Sequence, residues 1–162
     1  MHSATMGNRP DSPDVNLMPP TVFFSCLVLG GVLEFFFPIN VSWLTFPIKL
    51  TFGFVIGASG FTFMMFAHEK FKRVGTPVPT NQPASTLVVR GAYRFSRNPM
   101  YVGGISFFFG IGISAGSLWI LAAALLLSGY ISLFVVPSEE AYVERTFGQT
   151  YRDYCQNVRR WL

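Results

Sequence analysis

The chain has 162 residues, 51% of them apolar, only 12% charged, and a formal net charge of +4. Soluble domains carry about 25% charged residues. Thr21 to Ala67 holds two charges, Glu34 and Lys49, and Pro99 to Pro137 holds none, so a soluble enzyme, a disordered chain and a secreted disulfide scaffold are excluded.

Met1 to Pro20 is polar, contains four prolines and lacks a basic start followed by an apolar stretch. It reads as a flexible leader rather than a signal peptide. A first span is predicted over about Thr21 to Phe37, stopped by Pro38, which cannot continue a helix. A second is predicted from near Ile48 to about Ala67, followed by His68, Glu69 and Lys70. At 1.5 Å per residue each covers most or all of a hydrocarbon layer about 30 Å thick. Gly53, Gly57 and Gly60 set small residues along one side of the second span, the pattern of close helix packing. Tyr101 to Val136, 36 residues, is too long for one crossing. Ala115-Gly116-Ser117 near its middle predicts a tight turn between two helices, the first one short. The count is about four spans.

Residues 68–98 carry six basic side chains (Lys70, Lys72, Arg73, Arg90, Arg94, Arg97) against Glu69 alone. That asymmetry places the loop on the cytoplasmic side and, by counting crossings, both termini with it. The basic loop then faces anionic lipid, and no nucleic-acid partner is needed to explain the charge. From Ser138 to Leu162 the chain reads as an amphipathic helix, or two broken at Gly148. Phe147, Tyr151, Tyr154 and Val158 form its apolar stripe. Such a segment lies along the membrane surface or closes over the cytoplasmic ends of the spans. Cys26, in an apolar run, and Cys155, in a polar tail, fit neither a disulfide nor a metal motif, and no metal is expected.

Three groups of polar residues remain. In the first, Asn98-Pro99 marks a helix start, with Asn as cap and Pro at the first helical position. Arg94 and Arg97 beside it suit a carboxylate or phosphate; an equal alternative makes both arginines topology anchors. The second group is Glu139-Glu140, which either favours a helix N-terminus or receives a cationic group. The third, Tyr151 and Tyr154 with Arg159-Arg160, reads as packing and interfacial anchoring. Glu34 lies within a span, where a carboxylate marks function unless it reaches the interface one turn away at Pro38. His68 stands at the cytoplasmic end of the second span, as an interfacial anchor or a proton acceptor. Cations, acids and the rings of Tyr93 and Tyr101 together suit a zwitterion such as S-adenosylmethionine, whose sulfonium aromatic faces stabilise.

Leu87-Val88-x-x-Gly91-x-Tyr93, Arg97-Asn98-Pro99-x-Tyr101-x-Gly103, Glu139-Glu140 and Phe147-Gly148-x-x-Tyr151-x-x-Tyr154 occur in that order. The arrangement resembles the integral membrane methyltransferases typified by isoprenylcysteine carboxyl methyltransferase and the phospholipid N-methyltransferases. It covers about Gly75 to Leu162. The resemblance implies an all-α integral membrane protein with S-adenosylmethionine bound near the cytoplasmic face and a lipophilic or lipidated acceptor entering from the bilayer. It implies cofactor contacts from Ser85, Thr86, Leu87, Val88, Tyr93, Asn98, Pro99, Met100, Tyr101 and Glu139. Placement at the same membrane face makes Arg97 and Glu140 the expected residues of the transfer step, Arg97 holding the cofactor carboxylate or orienting an anionic acceptor and Glu140 binding the cofactor or taking a proton from an amine. Two departures bear on the acceptor. Asn98 stands where many carboxyl methyltransferases of this group have His, and Val135 stands where they place an Arg, so prenylcysteine methylation is not implied.

The expected organisation is a leader over 1–20, two spans over 21–67, a basic loop over 68–98, and a helical hairpin with an amphipathic helix over 99–162, the cofactor-binding core being 75–162. The expected reaction is methyl transfer to O, N or S of a membrane-associated acceptor. Two rivals stay open at this point: an NADPH-dependent lipid double-bond reductase, and a non-enzymatic four-span protein. Nothing in the pattern decides the oligomeric state.

Overall fold

A computed structural model describes residues 17–39, 45–74 and 86–162. The predicted leader up to residue 16, the connection over 40–44 and residues 75–85 lie outside the described residues. The described residues form helices, with no β-strand among them: α1 (Pro19–Phe36), α2 (Phe46–Val74), α3 (Pro99–Ala115), α4 (Leu118–Tyr130), α5 (Val136–Phe147) and α6 (Gln149–Asn157). A 3₁₀ turn over Gly91–Arg94 precedes α3, and a π-helical turn over Ile131–Val135 joins α4 to α5.

Three helical stretches are long and apolar enough to cross a membrane: Pro19–Phe36, Phe46–Arg73 and Leu118–Phe147. At 17 residues α3 is shorter, about 25 Å long at the α-helical rise. Their outer faces are those of a protein solvated by lipid. Phe35 is 80% exposed and Leu133 71%, and Phe24, Phe52, Phe54, Leu126 and Phe134 also project outward. An apolar surface of that extent is unsuited to water.

Glycine governs how closely α2 meets α3. A methyl group added at Gly60 would stand 2.7 Å from the Gly103 carbonyl oxygen, and one added at Gly103 would stand 2.5 Å from the Gly60 oxygen. Gly57 and Gly110 face each other one level further along, and Gly53 meets Ser114. Packing contacts of this kind are the main source of helix association in lipid, because burial from water contributes nothing there. The small-residue stripe of the second span is therefore its packing face. Elsewhere Phe108, Ile120, Ala124, Leu127, Ile131 and Val135 form the main core, against which Val22, Phe23 and Leu27 of α1 pack.

The α3–α4 connection is the turn expected at Ala115-Gly116-Ser117. Gly116 adopts the left-handed conformation (φ 65°) that an L side chain resists, and ends α3. Ser117 then caps α4, its Oγ accepting the Ile120 N–H at 3.2 Å. The same hydroxyl donates to Glu34 Oε2 at 2.6 Å, so the carboxylate of α1 is tied to the hairpin turn. Nearby, Trp119 Nε1 donates to the Phe37 carbonyl. At the opposite end Tyr130 donates to the Leu17 carbonyl, which makes α1 and α4 antiparallel. Ser117→Ala removes the cap and the Glu34 bond together and is expected to cost about 1–3 kcal/mol. It should lower the thermal midpoint in detergent, and Glu34→Gln, which keeps an acceptor oxygen, should lower it less.

Two boundaries differ from the sequence expectation. The second helix does not stop at Ala67 but runs on to Val74, carrying His68, Glu69, Lys70, Lys72 and Arg73. The Arg73–Glu69 pair, four residues apart, supports that polar extension. Likewise the last span does not end at Pro137, because the helix passes through it from Leu118 to Phe147. Proline lacks an N–H and crowds the preceding turn. The π turn immediately before it widens the ladder, with the Val136 N–H reaching back to the Ile131 carbonyl. The tail then breaks at Gly148 (φ 54°), giving α5 and α6 as two helices.

Candidate active site

Apart from Glu34, which is tied to the hairpin turn, the three groups of polar residues singled out by sequence gather at the end of the bundle away from Gly116. Approaching α3, Gly91 has φ 70° and opens the 3₁₀ turn. That turn buries Tyr93, whose ring packs on Phe71 of α2 at a centroid distance of 5.2 Å. Val88, Ala92, Tyr93 and Ala67 form a small second core, with Met100 against it.

The turn 96–98 is then bonded to the tail through backbone. The Arg97 N–H donates to the Arg159 carbonyl at 2.9 Å. Ser96 Oγ and Asn98 Nδ2 both donate to the Arg160 carbonyl, at 3.2 and 3.1 Å. Tyr154 of α6 donates to the Tyr93 carbonyl at 2.7 Å. The tail therefore closes over the end of the bundle, the second of the two placements expected for it. Asn98 does occupy the N-cap position before Pro99, but its side chain makes no capping bond. Its amide is spent on the Arg160 carbonyl instead, a correction to the sequence reading.

The paired acids arrive from α5. Tyr101 donates to Glu139 Oε1 at 2.7 Å. Glu140 lies between two arginines: Arg160 Nη2 donates to its Oε2 at 2.6 Å, and Arg97 Nη2 stands 3.1 Å from its Oε1. The Arg97 and Glu140 side chains are only 14% and 15% exposed. Even so, Arg97 Nε and Glu140 Oε1 are buried without a hydrogen-bond partner. Orphaned buried polar atoms are rare and costly, and mark places where a ligand or water completes the structure.

Three phenols surround this cluster, and burial is the leading cause that raises each above the ordinary value. For Tyr93, Tyr154 and Glu139 add to the rise. For Tyr151, Glu140 adds to it, and for Tyr154 the Arg97 charge opposes it. A raised pKa means the folded state keeps protons that the unfolded chain releases. Stability is then complete below the ordinary phenol pKa of about 10 and declines as pH rises through it. Absorbance near 295 nm should accordingly show these tyrosines ionising later than exposed ones, with unfolding accompanying them.

Residues 48–150, more than half of the chain, match the phospholipid methyltransferase family. The chain belongs to that family. An uncharacterised protein of Haemophilus influenzae is 53% identical over 32 residues, which are 20% of this chain and 51% of that protein. The chain thus spans about half the length of that relative. No solved structure matches.

In this family member, Tyr93, Arg97, Asn98, Pro99, Met100, Tyr101, Glu139 and Glu140 lie at one end of the bundle. Pro99 is fully buried, Asn98 nearly so and Tyr101 half-buried. Val88 is buried beneath the 3₁₀ turn, Leu87 is half-buried and Thr86 exposed, while Ser85 lies outside the described residues. An open cleft between Val89, Arg94 and the α6 residues Thr150, Asp153 and Asn157 shares Tyr154 with this region. Sequence reasoning missed Ser96 and the part taken by Arg160. The spacing Arg97-x-Pro99 gives no sign that the turn bonds to carbonyls more than 60 residues away.

Proposed function

We propose that the chain is an S-adenosylmethionine-dependent methyltransferase. Its donor site lies between the 93–101 turn and Glu139-Glu140, and its acceptor is a lipophilic or membrane-associated molecule methylated at O, N or S. The observation that carries this reading is the convergence of Arg97, Glu140 and the Tyr101–Glu139 pair at one end of the bundle, with one guanidinium N–H and one carboxylate oxygen buried without a hydrogen bond. A guanidinium, two carboxylates and aromatic faces are the donor set that a carboxylate, an ammonium and a sulfonium need.

S-adenosylmethionine, when bound, supplies a methyl group on a positively charged sulfur. The residues of the chain align and enclose. Arg97 Nε receives an anionic group, and Glu139, oriented by the Tyr101 hydroxyl, receives a cationic one. Glu140 Oε1, ion-paired with Arg97 but without a hydrogen bond, takes an ammonium or a proton leaving an amine acceptor. Tyr101, half-buried, presents a ring face, while the Tyr93 ring packs on Phe71 beneath the turn. The tail, docked through Tyr154 and the Arg159–Arg160 carbonyls, keeps water from the reacting pair, so that positioning does most of the catalysis.

We further read α3 as a short fourth span. Four crossings with the basic loop inside place the site and both ends of the chain on the cytoplasmic side. The bilayer around Leu126, Leu133 and Phe134 gives a lipophilic acceptor a lateral approach. Incubating the purified protein with radiolabelled S-adenosylmethionine and a lipid extract should transfer label to a lipid-phase product. Absence of labelled product, with NADPH consumed in a parallel incubation, would overturn the assignment.

A further inference from the structure

Arginine and carboxylate left to themselves close into two parallel hydrogen bonds. Arg97 and Glu140 do not. Their contact is a single approach of 3.1 Å, and Arg97 Nε and Glu140 Oε1 stay without hydrogen bonds although both are buried. What separates this pair from the ordinary fork is Arg160, whose Nη2 holds the other carboxylate oxygen at 2.6 Å.

Arg160 acts from a fixed point. Its carbonyl takes bonds from Ser96 Oγ and Asn98 Nδ2, and the preceding carbonyl takes the Arg97 N–H. Trp161, the next residue, packs against the main core. Its backbone is therefore tied to the same turn that carries Arg97, and Glu140 stands between the two guanidinium groups. This segment lies beyond the residues 48–150 matched by the family.

We infer that Arg160 is a positioning residue. By holding Glu140 Oε2 it keeps Glu140 from closing on Arg97, and so leaves Arg97 Nε open to the carboxylate of the methyl donor. The inference rests on the donor assignment made above and deepens it. Without the Arg160 side chain, Glu140 swings into a two-pronged pair with Arg97, and a ligand carboxylate must displace it. A ligand lacking the carboxylate has nothing to displace and is indifferent to the change.

The test is calorimetric titration of S-adenosylmethionine and of its decarboxylated analogue into the wild type, Arg160→Ala and Arg160→Lys, each checked by circular dichroism. Arg160→Ala should weaken S-adenosylmethionine by roughly tenfold or more, the scale of one charge-assisted hydrogen bond, and the analogue by less than about twofold. Arg160→Lys, a point charge able to reach Oε2, should restore part of the loss. Equal weakening of both ligands would make Arg160 merely structural and overturn the inference, as would no weakening of either. A wild type that binds both ligands equally well would leave the donor assignment standing and overturn the part given to Arg97 and Arg160. A wild type that binds neither would overturn the donor assignment and this inference with it.

Discussion

Glu139→Ala is expected to lower kcat/KM for methyl transfer by roughly tenfold to more than a hundredfold while leaving the helices intact. Glu139 sits on α5, directly after the π turn, and is held by the Tyr101 hydroxyl at 2.7 Å. Its carboxylate is half-buried, so an ammonium bound there is worth more than a surface pair: charge-assisted contacts contribute about 1.5–3 kcal/mol, which is roughly tenfold to more than a hundredfold. Tyr101→Phe removes only the orienting hydroxyl and should cost less, about tenfold. Transfer of labelled methyl at several donor concentrations reads both effects, and a thermal scan confirms folding. A Glu139→Ala enzyme with unchanged kcat/KM would remove Glu139 from the site.

The second large effect is structural. Gly103→Val should prevent α3 from seating on α2, because even its Cβ would lie 2.5 Å from the Gly60 carbonyl oxygen and 2.6 Å from the Met64 nitrogen. Both neighbours are backbone and cannot turn aside. Overpacking in a core typically costs about 1–3 kcal/mol, and a separation forced along the whole α2–α3 contact exceeds that range. The expected result is loss of the monodisperse protein in detergent, or a large fall in thermal midpoint. Gly31→Ala is the control: a Cβ there meets no atom within 4 Å, and its midpoint should be unchanged or slightly higher. Equal stability of Gly103→Val and wild type would show that the two helices are not held at that distance.

These two expectations rest on features of different legibility. The α2 stripe of glycines could be read as a packing face because only one side of the helix carries it, and Gly116 could be read as a turn because few other residues adopt its conformation. Arg97 and Glu139-Glu140 were identifiable as unusual, since charged groups at the edges of apolar spans are few. Their mutual arrangement was not. Asn98 looks like a helix cap by position, yet its amide goes to a tail carbonyl, and a carbonyl accepts equally well whatever side chain its residue bears. The same holds for Ser96 and for the docking of the segment around Arg160. The π turn was hidden for another reason. Pro137 signals an interruption, and sequence alone cannot tell a helix that stops from one that widens its hydrogen-bond ladder and continues. Glu34 drew attention as a carboxylate within a span. Its partner, Ser117, is 83 residues away, and the pair makes it a tie between α1 and the hairpin turn.

Hydrogen–deuterium exchange with and without S-adenosylmethionine tests most directly whether these distant segments form one donor pocket. The account predicts slowed exchange together in three places: residues 93–101, the Glu139–Glu140 turn of α5, and the tail around Arg159 and Arg160. It predicts no change at the Glu34–Ser117 end. Protection confined to that opposite end, or none at saturating ligand, would contradict it.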